Sequence, residues 1–273
     1  MAVSIKKGAV KFVIGFVLLL LALLALTPFV YMVAISLTQK SSLNLDFSGE
    51  VFDLSNYVRV FKNLNIARNF LNSVIVTGGA CILNCVISSM AAYGFAKKRW
   101  PGRDKVFSVY LATLMVPAQV TLIPVFIIIR QLGLINTHVA LMLPILNAFG
   151  VFLMRQFMRN VPDELLEAAR IDGCGEVRLF LSIVLPLIKP VIISLTVFTF
   201  ITSWNDFLWP LVTCTDQNMQ TLTLAISALK GNYNTNYGLV MAGSVIAFLP
   251  PFILYVFLQK QFVEGIALSG VKG

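Results

Sequence analysis

The sequence of 273 residues has little charge and few reactive side chains, and each shortage removes a class of function. Only 12% of the residues are charged, while 58% are apolar; soluble domains carry about 25% charged residues. A water-soluble enzyme or binding module is excluded on that ground. The chain has one histidine, His138, and four cysteines, Cys81, Cys85, Cys174 and Cys214, with no metal-binding or disulfide spacing. Cys81 and Cys85 stand one helical turn apart in an apolar stretch and read as small packing residues. No G-x-x-x-x-G-K-[ST] segment occurs, so the chain has no phosphate cradle of that type. Acid/base or metal-binding clusters of the kind a membrane enzyme needs are missing as well.

What the chain does have is long apolar runs. Six stretches, at 12–37, 69–96, 106–129, 139–157, 187–210 and 239–258, are long enough to cross about 30 Å of hydrocarbon as helices. Helices follow because lipid cannot satisfy bare backbone polar groups. The first run is too long for a signal-peptide core and lacks a small-x-small cleavage site, so it reads as a retained span, kinked near Pro28. The expectation is an all-α polytopic membrane protein, residues 1–273 forming one transmembrane domain. Prolines fall inside several spans: Pro117 and Pro124 in the third, Pro144 in the fourth, Pro250 and Pro251 in the sixth. Each removes a backbone donor and bends its helix.

The net charge of +9 would raise the question of nucleic acid in a soluble protein. Its distribution points to the membrane surface instead. Counted along the chain, 15 of the 21 basic residues fall in the N-terminal segment, the loop after the second span, the loop around 155–189 and the C-terminal tail. By the positive-inside bias these regions and both termini are cytoplasmic, and nucleic-acid binding is not expected.

The most informative loop runs from Val161 to Pro190, VPDELLEAARIDGCGEVRLFLSIVLPLIKP. Pro162 suits a first helical turn, and Asp163 and Glu164 complement the positive end of the helix dipole. Gly173 is a natural stop. On a helical wheel Leu165, Ala168 and Ala169 share one side, with Asp163, Glu167 and Arg170 roughly opposite. Mixed charges and a small alanine face suit docking onto another protein better than lying on a bilayer.

Glu167-Ala168-Ala169, three residues, Gly173, nine residues and Ile183-Val184-Leu185-Pro186 match the EAA pattern at every fixed position. The chain thereby resembles permeases of ATP-binding-cassette importers. MVPAQVTLIPVF at 115–126, GLINT at 133–137, WNDFLWPL at 204–211 and QKQFVEGIALSGVKG at 259–273 are similar to the maltose-type carbohydrate-uptake subfamily, in particular to the shorter of its two paired permeases. The resemblance implies a coupling helix in the loop 158–186, with Glu167, Ala168, Ala169 and Gly173, flanked by Asp163 and Arg170, contacting an ATPase. It implies the same for the tail, with Lys272 and Gly273. It also implies the partners: a second homologous permease subunit, two ATP-binding-cassette ATPase subunits, an extracytoplasmic solute-binding protein and membrane lipid. ATP and Mg would be used by the ATPases, no cofactor would bind this chain directly, and the location would be a bacterial inner membrane.

Two spans carry polar stripes. Ser73, Thr77, Asn84 and Ser88 share a face of the second and read as helix-packing contacts. In the fifth, Thr199, Thr202, Ser203 and Asp206 recur at i, i+3, i+4 and i+7, beside Trp204 and Asn205, and this set is the expected substrate path. Hydroxyl-rich solutes suit such a surface, so a di- or oligosaccharide is the expected cargo and a glycerol-phosphate-type solute the alternative. An ion-driven secondary transporter would bury ionisable residues in its spans, and only the boundary residue Asp206 is of that kind.

Overall fold

The computed structural model describes residues 2–39, 52–230 and 236–270, with side chains described for 11–39, 52–230 and 236–259. No strand occurs among them. Fourteen α-helices follow in chain order: α1 Ala2–Ser36, α2 Ser55–Asn63, α3 Ile66–Lys97, α4 Arg103–Ala112, α5 Ala118–Gln131, α6 His138–Met142, α7 Ala148–Met158, α8 Asp163–Ile171, α9 Glu176–Leu179, α10 Leu185–Leu187, α11 Lys189–Trp204, α12 Leu208–Thr213, α13 Leu222–Ser227 and α14 Tyr237–Gly270.

Three helices, α1, α3 and α14, are long and apolar enough to cross a membrane unbroken. Three further candidates are pairs bent at a short break: Arg103–Met115 with Ala118–Gln131 at 103°, His138–Ile145 with Ala148–Met158 at 50°, and Glu176–Leu187 with Lys189–Trp204 at 78°. The breaks have local causes. Pro117 has an extended ψ of 135° and caps α5. Asn147, also extended, caps α7 by accepting from the amides of Phe149 and Gly150 at 3.0 and 3.3 Å. Pro28, Pro124, Pro250 and Pro251, by contrast, stand inside helices that continue through them.

The chain divides into two compact units, 1–64 with 226–248, and 65–225 with 249–273. In the first, Asn56 of α2 donates to the carbonyl of Ser36 at 3.0 Å and to that of Thr38, and the Ser36 hydroxyl meets the Tyr57 hydroxyl at 2.8 Å. In the second, α3 is the central helix, with α7 and α11 packed along it. Its core runs from Ala92, Tyr93 and Phe107 through Val151, Met154 and Met158 to Leu166, Ala169, Leu179, Val184 and Ile188. One continuous cluster therefore joins the membrane helices to the segment after Met158.

Candidate functional site

The segment after Met158 is a short capped helix, α8, seated on the core. Pro162 starts α8, Asp163 and Glu164 occupy its first turn and Arg170 its last. Gly173 closes it in the left-handed region, φ +80°. The Cys174 amide donates to the Ala169 carbonyl at 2.9 Å and the Gly173 amide to that of Arg170 at 3.0 Å, the paired bonds of a Schellman end. A side chain at 173 would meet nothing within 4 Å, so glycine is required there by the backbone angle and not by space.

The face of α8 that packs inward differs from the one expected. Leu166 and Ala169 are buried at 2% and 8% exposure, whereas Leu165 is 47% exposed and Glu167, Ala168 and Arg170 are exposed. The wheel grouped Leu165, Ala168 and Ala169 by apolarity; packing instead selects the i, i+3 pair Leu166 and Ala169, which joins the cluster that includes Met154 and Met158. Leu165, Ala168 and Ile171, spaced by three, are left outward as an apolar strip, Ile171 at 86% exposure.

Two lysines at the end of α3 hold this segment from both sides. Lys97, with a side chain only 4% exposed, donates to Asp163 at 2.7 Å and to the Val161 carbonyl. Lys98 pairs with Glu176, which also accepts from the Tyr93 hydroxyl at 2.8 Å and from Arg170 Nε at 3.3 Å. The hydrogen bond from Lys97 holds the Asp163 carboxyl below its ordinary range. These partners lie far apart in sequence, and only the basic residue type gave any sign of them.

The expected substrate-path set is split by the packing. Asn84 donates to the Thr199 hydroxyl at 2.9 Å and accepts from Ser88 at 3.0 Å, and Ser203 donates to Thr77 at 3.2 Å. Thr199 and Ser203 are thus buried joints between α11 and α3. Gly150 of α7 closes the same joint: a Cβ there would lie 2.4 Å from Ser88 Oγ and 3.1 Å from Asn84 Oδ1. Trp204 is 2% exposed, stacked on Phe200 at 5.5 Å and edge-on to Phe70 at 5.8 Å. Asp206, half-buried, accepts from the Trp209 amide at 3.3 Å at the start of α12. Thr202 and Asn205 are exposed, each hydrogen-bonded to its own helix. Lys272 and Gly273 lie outside the described residues.

Long apolar helices, three unbroken and three in bent pairs, define an integral membrane protein. Residues 84–267 match the family model described as binding-protein-dependent transport system inner membrane component, and the chain belongs to that family. It is similar to the lactose transport system permease protein LacG of Rhizobium radiobacter, 36% identical over 94% of both chains. It is also similar to the sn-glycerol-3-phosphate transport system permease protein UgpE of Yersinia pestis, 37% identical over 73% of this chain and 72% of the relative. A chain in the crystal structure of a bacterial ABC transporter that imports the acidic polysaccharide alginate shares the fold, with a TM-score of 0.81 at 24% identity, covering 92% of this chain and 96% of that one.

Proposed function

We propose that the chain is one permease half of an ATP-binding-cassette importer carrying a di- or oligosaccharide, driven through the 161–190 lever. The carrying observation is the two-sided α8: Leu166 and Ala169 anchor it in the buried cluster shared with the apolar helices, while Leu165, Ala168 and Ile171 face outward beside Glu167. A helix gripped on one side and bare on the other suits a push from a separate protein, and two ATPase subunits are that protein in this reading. ATP and Mg are used there; this chain has no catalytic residue and binds no cofactor. Solute arrives from an extracytoplasmic binding protein, and a second homologous permease completes the path. The lever and both termini face the cytoplasm, with Lys272 and Gly273 reaching the ATPases.

In the path itself, Thr202 and Asn205 are the proposed solute-facing members, with Asp206 nearby, while Thr199, Ser203 and Trp204 hold the wall. The lactose relative supports a sugar cargo. A glycerol-phosphate-type solute is the second reading, supported by the similarity to UgpE.

The deciding experiment replaces Gly173 with valine, which the left-handed angle disfavours by about 1–2 kcal/mol. Uptake should fall at least tenfold while the protein stays in the membrane and ATP hydrolysis persists. Wild-type uptake in that variant refutes the lever. A thermal-shift panel of sugars and glycerol phosphates on the cognate binding protein decides between the two cargoes.

A further inference from the structure

We propose that the turn between α3 and α4 is a binding site for the phosphate headgroup of an anionic phospholipid, in the leaflet that the lever faces. An open cavity of about 390 Å³ is lined there by Arg99, Trp100, Gly102, Arg103, Asp104 and Lys105. Between Lys97 and Lys105 the chain carries five cations against one acid, Asp104. That acid is already engaged by Arg103 at 3.3 Å and by Arg155 at 2.8 Å. Lys97 and Lys98 are engaged by Asp163 and Glu176. Arg99 and Lys105, both exposed, enter no ion pair among the described residues. Arg99 feels Asp163 only at a distance, so among the described residues the cavity carries positive charge in excess of the acids that pair with it.

Its surroundings select the ligand. The turn joins the long apolar helix α3 to α4, which with α5 makes up a bent candidate span, and this places it at the depth of the headgroups. Val106 and Val109, just beyond it, are 49% and 72% exposed, an apolar surface suited to acyl chains. Trp100 is anchored by its indole donating to the Gly94 carbonyl at 3.3 Å, its ring 5.8 Å from Phe95, as an interfacial aromatic is. Anionic headgroups are drawn to such juxtamembrane cations. A soluble phosphate would gain the charge contact but leave the valines uncovered.

The site is placed to affect coupling. A negative headgroup offsets the repulsion among cations within nine residues, two of which grip the lever at Asp163 and Glu176. Bound lipid thereby steadies the seat of α8. This consequence rests on the lever reading; the lipid site itself does not.

Native mass spectrometry of the purified transport complex, exposed to equal amounts of phosphatidylglycerol and phosphatidylcholine, provides the test. The wild type should retain phosphatidylglycerol preferentially. The double variant Arg99→Gln/Lys105→Gln should lose about 25-fold of that preference, since each cation near an anionic surface counts for roughly one factor of five. Lys62→Gln, which removes an exposed cation elsewhere, should leave it unchanged. Equal retention of the two lipids by the wild type, or an unchanged preference in the double variant, overturns the proposal. So does millimolar inorganic phosphate displacing the lipid, which marks a free-anion site, or the double variant shedding a protein subunit while keeping its lipid preference, which marks a protein interface. Retention of ATPase subunits by the wild type is read in the same spectra, so failure of the lever reading is seen separately from failure of the lipid site.

Discussion

Helices α1 and α3 are alike in length, 35 and 32 residues, and both are apolar enough to span a bilayer, yet they relate to the chain in opposite ways. None of the most apolar window of α1 is buried within the protein, against 33% of that of α3. The polar content runs the other way: the buried residues of α3 include Asn69, Asn72, Ser73, Thr77, Asn84, Ser88 and Ser89. In water, burial and apolarity go together; in lipid, an apolar side chain gains nothing by leaving the tails for another helix. Small and polar residues therefore mark the helix that has close neighbours within its own unit.

The sharpest way to break this contrast is to enlarge the joint at Gly150. Leucine there would drive into Ser88 Oγ and Asn84 Oδ1 and part α7 from α3. Overpacking of this kind costs about 3 kcal/mol, and a lower thermal-unfolding midpoint of the purified complex should report it. Leu20→Ala in α1, a somewhat smaller change in apolar volume at an exposed position, should cost under about 0.5 kcal/mol. Comparable midpoint losses for the two variants would mean that α3 is no more a packing hub than α1.

A subtler change removes the polar bond without adding bulk. Asn84→Ala deprives Ser88 of its acceptor and Thr199 of its donor. Hydrogen bonds between membrane helices contribute modestly, so the expected loss is about 1 kcal/mol, less than for Gly150→Leu. Combining Asn84→Ala with Thr199→Val should cost less than the sum of the single changes, because one bond is removed once. Strict additivity would show that the pair does not interact.

How much of this could be read in advance depended on whether the signal was local. Hydropathy marks the apolar stretches because lipid acts on each segment by itself, and Gly173 is legible because a Schellman end needs only its own turn. The EAA spacing pointed to α8 but not to its inward side: apolarity grouped Leu165 with Ala168 and Ala169, while Leu166 is the residue buried in the core cluster. The stripe of Thr199 and Ser203 was visible as a stripe, but its partners Asn84 and Thr77 lie over a hundred residues away. Lys97 and Lys98 read as two more inside charges, since a charge count carries orientation and no partner. Proline was a poor guide to breaks, because Pro124 continues a helix while Pro117 starts one.

The smallest expected effect separates the lever from the bundle that holds it. Asp163 is mostly exposed, and its bond to Lys97 keeps its folded pKa below the ordinary carboxylate value. A group depressed in this way contributes its full share above the unfolded pKa, near 3.9, and loses it as pH falls through the folded one. The tether of α8 is therefore complete at neutral pH and loosens only in acid. Asp163→Asn at pH 7 should imitate that acid state, raising amide hydrogen exchange in residues 163–171 by about twofold, in line with the modest worth of an exposed ion pair. Exchange in the α3 core around Asn84 should not change, since that joint has no titrating member. Equal exchange in wild type and variant across 163–171 would mean that the buried pair Leu166 and Ala169 seats the lever unaided, leaving Lys97 to serve the Val161 carbonyl alone.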